Sequence, residues 1–216
     1  MLELVLAGGW PMIPLLLLSA LALAIIVERF WTLRRRTVLP PGLGEEVRTW
    51  AAHGRLDPNH IQSLRMTSPL GELLAAARDV RHRPREPIRE RIEDVGRDLV
   101  HRMERYLNAL GTIAAAGPLL GLFGTVVGMI QMFLGILDHG VGDVNQLAGG
   151  IGKALVCTAT GMIVAIPALA FHRYFRARIG PYIVDMEHEA IALMDVLDPR
   201  GDLRPATAGL APEADA

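Results

Sequence analysis

Between Tyr106 and Leu137 the chain carries no charged residue. A soluble helix of that length would need a polar face. A membrane span needs none, and about 20 apolar residues in a helix cross a ~30 Å hydrocarbon core. Two further runs approach that length. One is PMIPLLLLSALALAIIVERFW, uncharged from Pro11 to Val27; the other is ALVCTATGMIVAIPALAF, from Ala154 to Phe171. The composition agrees, with 51% hydrophobic residues and 5% aromatic. These runs predict an all-α membrane protein with three transmembrane helices.

The charges give the orientation. RRR at 34–36 follows the first run, with Arg29 at its end, and HRYFRAR at 172–178 follows the third. VHRMERY (100–106) precedes the second run, while DHGVGDVNQLAGG (138–150) after it has no Lys or Arg. Positive loops stay in the cytoplasm. The N-terminus is therefore expected outside and the C-terminus inside. A signal peptide has its basic residues before the apolar stretch; here Glu3 precedes it and the arginines follow. The first run is expected to remain as a span. The formal net charge of −1 gives no basis for nucleic-acid binding. The single cysteine, Cys157, lies in an apolar run and is expected to be a buried packing residue.

The expected organisation is a periplasmic N-terminus and first span over 1–31, then a cytoplasmic helical domain over 32–107. A second span covers 108–137, a periplasmic loop 138–150 and a third span 151–175. A cytoplasmic C-terminal helix (176–198) and a disordered tail (199–216) complete it. Inside the cytoplasmic domain, EEVRTWAAHG reads as a short helix stopped by Gly54. Asp57 with Pro58, and Ser68 with Pro69, read as cap and first helical residue. PREP at 84–87 reads as a break. From Ile88 the apolar residues fall at 88, 92, 95, 99, 103, 106, 107 and 110, a helical spacing that predicts one unbroken helix into the second span. Ile179, Tyr182, Ile183, Met186, Ala190, Leu193 and Leu197 form a similar stripe beyond the third span, with Pro181 inside it. Two spans thus extend into a cytoplasmic helical bundle. The stripes suit packing within one chain or between copies of it.

GPLLGLFGTVVGMIQMF (117–133) sets glycine at 117, 121, 124 and 128. In water each would cost a helix roughly 1 kcal/mol relative to alanine. In lipid, small residues let helix backbones approach. With Ala114 and Gly135 they form one smooth face, with Thr125 on its edge. Ala154, Thr158, Gly161, Ala165 and Ala168 form a matching face on the third span. Pro118 and Pro167 are expected to kink their helices. The two hydroxyls, Thr125 and Thr158, either bond carbonyls of their own helices or line a wet path. No Asp or Glu lies inside the spans, and a proton-driven machine needs a titrating group there. Either the chain does no ion work or a partner brings the carboxylate. Lys153, the only lysine, stands at the outer end of the third span, where it can snorkel to the interface.

LNALGTIAAAGPLLGLFGTVVGMIQMF (107–133), with its GLFGTV core, and LAGGIGKALVCTATGMIVAIPALAFHRYF (147–175), with its AL…T…G…AIPA pattern, resemble the second and third spans of the ExbB/TolQ/MotA family of proton-channel stator subunits. The resemblance is strongest to ExbB, with TolQ next. It covers about 60 residues and is only positional over the cytoplasmic domain. It implies a homopentamer in the bacterial inner membrane around single-span ExbD- or TolR-like helices, each with a membrane Asp. Proton flow through that Asp would drive rotation, and a TonB- or TolA-like protein would carry the work to the outer membrane. By resemblance Thr125 and Thr158 match pore-lining positions facing the partner's Asp. Gly121, Gly124 and Gly128 would form a close-packed, smooth wall. The departure is Lys153, where many relatives carry Glu. It implies either impaired proton entry or a structural position in a variant subfamily; we prefer the second.

A TolQ-like subunit for envelope integrity and a passive membrane scaffold are the alternatives. A flagellar MotA-like role fits less well, since that relative has four spans and a larger insertion. No enzyme is indicated. The histidines at 53, 60, 82, 101, 139, 172 and 188 lack metal spacing. No nucleophile has a base nearby in sequence, and no phosphate loop appears. Neither metal nor cofactor is expected.

Overall fold

The computed structural model describes residues 9–53, 58–79, 85–139 and 144–197. Every regular element among them is helical. The helices are α1 (Met12–Thr32), α2 (Arg35–Val38), α3 (Leu43–Ala52), α4 (Pro58–Thr67), α5 (Pro69–Asp79), α6 (Arg85–Glu104), α7 (Leu107–His139) and α8 (Val144–Leu197). Three apolar stretches, in α1, in α7 and in α8, are long enough to cross a membrane. By its internal contacts the chain divides into two units. One holds Met1–Trp31 and Glu104–Ala177, the other Thr32–Met103 and Arg178–Ala216.

The first unit contains α1, α7 and the first part of α8. Its inward faces include many small residues, Ala22, Ala114, Ala154, Cys157, Ala165 and Ala168, beside larger ones such as Leu110, Ile113 and Phe175, with Met12 and Leu15 closing against Cys157. Its outward faces are large, including Leu17, Leu23, Leu119, Leu122, Ile163 and Ile166. Lipid is as apolar as leucine, so large side chains gain little by turning inward, while small ones let the backbones approach. Near the α1 C-terminus, Phe30 meets Phe171 edge-on at 5.5 Å and Phe175 at 5.3 Å. Such ring pairs contribute about 0.5–1.5 kcal/mol each beyond their burial.

The second unit contains α2 to α6 and the last part of α8. Ile179, Tyr182, Met186, Ala190 and Leu193 are the buried face of α8 here, and the Tyr182 hydroxyl donates to the Leu33 carbonyl at 3.2 Å. Ser68 alone separates α4 from α5. Its Oγ accepts the Gly71 N–H at 3.1 Å, which makes it the α5 cap. Gly42 caps α3 at φ +82°, a left-handed conformation that favours glycine. Arg48 pairs with Glu189 at 2.5 Å, and Arg35 with Asp185 at 3.1 Å.

Three features differ from the sequence expectation. The helix from Ile88 does not run unbroken into the second span. Arg105 and Tyr106 form a turn between α6 and α7. The Tyr106 ring lies there within reach of two guanidiniums, Arg29 at 4.8 Å and Arg105 at 5.5 Å. Next, the segment 138–150 is not all loop: α7 reaches His139 and α8 starts at Val144. Gly150 lies against Met132, where a Cβ would come within 3.0 Å of the Met132 Cβ. The third difference concerns PREP: α6 begins at Arg85, so Pro87 lies in its first turn, where a missing N–H costs nothing. Pro118, Pro167 and Pro181 lie inside α7 and α8, which continue past them. The expected Gly54 stop, the Asp57 cap and the 199–216 tail fall outside the described residues.

Candidate functional site: the seam between α7 and α8

The glycines of α7 face α8 of the same chain. A Cβ on Gly117 would stand 3.0 Å from the Gly161 carbonyl oxygen and 3.1 Å from the Ala165 Cβ. One on Gly121 would stand 3.0 Å from the Thr158 Cα, and one on Gly128 3.1 Å from the Ala154 Cβ. At Gly124 the Cys157 Cβ takes the space, 2.5 Å from where a Cβ would be. Numbers rise along α7 as they fall along α8, so the helices run antiparallel with backbones in near contact. From the other side, a Cβ on Gly161 would meet the Gly117 carbonyl oxygen at 2.6 Å. The open sides of Gly117, Gly121, Gly124, Gly128 and Gly161 are thus filled within the chain. Their geometry is that of close approach.

The two threonines behave differently. Thr158 Oγ1 donates to the Gly121 carbonyl across the seam at 3.3 Å. That carbonyl is reachable only because Gly121 has no side chain. Thr125 Oγ1 donates to the Leu122 carbonyl of its own helix at 2.6 Å. Both hydroxyls retain lone pairs that can accept from a donor. Thr160 was not singled out from the sequence; its hydroxyl donates to the Val156 carbonyl at 2.8 Å. Its nearness to Thr158 in TATG was the available signal. Lys153 lies on α8, exposed.

Carboxylates are absent from the seam by sequence. The nearest on α1 is Glu28, paired to Arg29 at 2.9 Å. Arg29 itself is only 3% exposed, which the sequence did not indicate. A buried guanidinium is tolerable when it is paired and stacked. Glu28 meets the first need and Tyr106 the second. Among the described residues, no three His, Cys, Asp or Glu side chains gather as a metal site would require. The seam can hold helices together and offer hydroxyls. It cannot itself bind and release a proton at a carboxylate.

The family described as the MotA/TolQ/ExbB proton channel family matches residues 62–188. An ExbB-like biopolymer transport protein of Synechocystis is 38% identical over 171 residues, covering 78% of this chain and 67% of the relative. Biopolymer transport protein ExbB of Salmonella typhimurium is 39% identical over 95 residues, covering 44% of this chain and 37% of its own length. That of Neisseria gonorrhoeae is 36% identical over 94 residues, covering 44% and 42%. The chain spans two thirds of the Synechocystis relative and less than half of the other two. The matched residues contain the whole seam, both threonines and AIPA at 165–168, and the chain belongs to the MotA/TolQ/ExbB proton channel family.

Proposed function

We propose that this chain is an ExbB-like stator subunit of a proton-driven motor in the bacterial inner membrane. The observation that carries this is a seam with hydroxyls but no carboxylate, in a chain of a proton-channel family. The titrating group then comes from a partner, an ExbD-like single-span protein with a membrane Asp. Five copies of this chain surround the partner helices, and Thr125 and Thr158 face that Asp. The glycines hold α7 to α8, and with them make a firm wall around the partner. A TonB-like protein passes the work to outer-membrane transport. The chain acts as a channel subunit rather than an enzyme.

In this reading the N-terminus is periplasmic, residues 32–107 and 176–198 are cytoplasmic, and 138–150 lie outside. The basic flanks support that orientation. Lys153 is structural and not a proton-entry group. A TolQ-like role in envelope integrity uses the same machinery with different partners.

Native mass spectrometry tests the proposal. The protein is purified in detergent alone and after co-expression with an Asp-bearing single-span partner. A five-fold ring that takes up partner helices supports it. A monomer or dimer that ignores the partner overturns it and leaves a passive scaffold.

A further inference from the structure

We propose that the groove between α6 and the last part of α8 receives the α6 of a second copy of this chain, whose Arg91 pairs with Glu187. This rests on the assembly of copies proposed above and names a surface that carries it.

All the residues involved belong to the second unit. The groove has a volume of about 730 Å³. Its walls are largely apolar, with Ile92 and Val100 from α6 and Ile183, Ile191 and Met194 from α8. Ile191 is 54% exposed. In the proposed orientation this surface meets water rather than lipid. An exposed apolar patch rimmed by charge marks an interaction site.

Glu187 gives the chemistry of the occupant. A Cβ on Gly96 would stand 3.9 Å from the Glu187 Oε1, so the carboxylate lies over a stretch of α6 that has no side chain. Glu72, Asp185 and Glu189 are half-buried in the same unit, and each meets an arginine: Arg102 at 2.6 Å, Arg35 at 3.1 Å and Arg48 at 2.5 Å. Glu187 is half-buried too and makes no ion pair among the described residues. A carboxylate partly withdrawn from water gains from a cation beside it. The groove therefore suits a helix that sets an arginine next to an apolar residue.

α6 itself has such an edge. Arg89, Arg97 and Arg102 pair with Glu93, Asp94 and Glu72. Arg91 is exposed and makes no ion pair among the described residues. Val95, four residues on and so on the same face, is half-buried. At 3.6 residues per turn, Arg89, Glu93, Gly96 and Val100 share one side of α6, and Arg91 falls on the opposite side. The first set lines the groove. Groove and arginine thus face away from each other on one helix. Within a copy they cannot meet. Between copies they match head to tail, the kind of contact that generates rings.

The test uses the full chain in detergent. Unlabelled and isotope-labelled proteins are mixed, and subunit exchange is followed by native mass spectrometry. The unsubstituted protein assembles and exchanges slowly. Glu187→Arg and Arg91→Glu each speed exchange at least severalfold, while Glu46→Arg, an exposed change on α3, leaves it as it was. When co-expressed, the E187R and R91E proteins assemble with each other in preference to themselves, since each supplies the charge that the other lacks. Should Glu187→Arg fail to fold, Glu187→Gln also speeds exchange. Exchange that ignores these substitutions, an equal effect of Glu46→Arg, or no preference in the co-expressed pair overturns this proposal and leaves the ring standing. An unsubstituted protein that stays monomeric overturns the ring as well.

Discussion

Gly121 and Gly149 lie in neighbouring helices and carry opposite predictions. A Cβ on Gly121 would press on the Thr158 Cα and, at 3.1 Å, on the Cys157 carbonyl oxygen. Both are backbone atoms and cannot rotate away. Gly121→Ala is expected to destabilise the protein by about 1–3 kcal/mol, the range for overpacking. Gly149 and Gly152 have nothing within 4 Å, and alanine there should change stability by about 0.5 kcal/mol or less. Thermal unfolding in detergent checks both; equal shifts would remove the packing role. Thr158→Val gives a separate test. Its bond to Gly121 is worth about 0.6 kcal/mol by the average for membrane helices, so stability should barely move. Proton-driven uptake should nevertheless fall strongly, and Lys153→Ala should keep most of it. Equal losses in uptake would count against the assigned role of Thr158. The glycine face is legible from spacing alone, because period and residue size are local properties. Which helix fills it is not, since small residues pack against any backbone that comes close. The burial of Arg29 is illegible for a related reason. Its partner ring, Tyr106, is distant in sequence, so the arginine reads only as a charge at a span end.

At the scale of elements, caps and junctions decide where helices stop. Ser68 follows α4 directly and opens α5 with a side-chain bond. Ser68→Ala should cost about 1 kcal/mol, the usual loss for a cap, measured as a lowered thermal midpoint. This start is legible because Ser followed by Pro has a local mechanism. The turn at Arg105–Tyr106 is not: the apolar stripe passes through it and no glycine or proline marks it. Its stabilising contact is cationic. Tyr106→Leu keeps the apolar bulk but removes the ring face, and should cost about 1 kcal/mol or more, since Arg29 is desolvated. Urea titration of the two proteins would show it; an unchanged midpoint would mean that the stacking contributes nothing. The α8 start at Val144 was not legible, because the stretch between two spans reads as their connection; the packing of Gly150 against Met132 depends on a residue distant in sequence.

At the scale of the whole molecule, the predicted behaviour is dependence on others. Activity should stop when the proton gradient is collapsed, and again when the partner's membrane Asp is changed to Asn. A strain lacking this protein should grow poorly under iron limitation if the role is ExbB-like. Leakiness to detergent with normal iron-limited growth would favour the TolQ-like role. The exposed lysine on α8 adds something practical. Lys153 is the only lysine in this sequence, so it provides an almost unique target for amine-reactive dyes, the N-terminal amine aside. In the proposed orientation a membrane-impermeant dye applied to spheroplasts should mark it, and Lys153→Arg should remove that mark; no mark on the unsubstituted protein would reverse the orientation. In the proposed assembly, a dye attached there would make this end of α8 an optical beacon for following rotation.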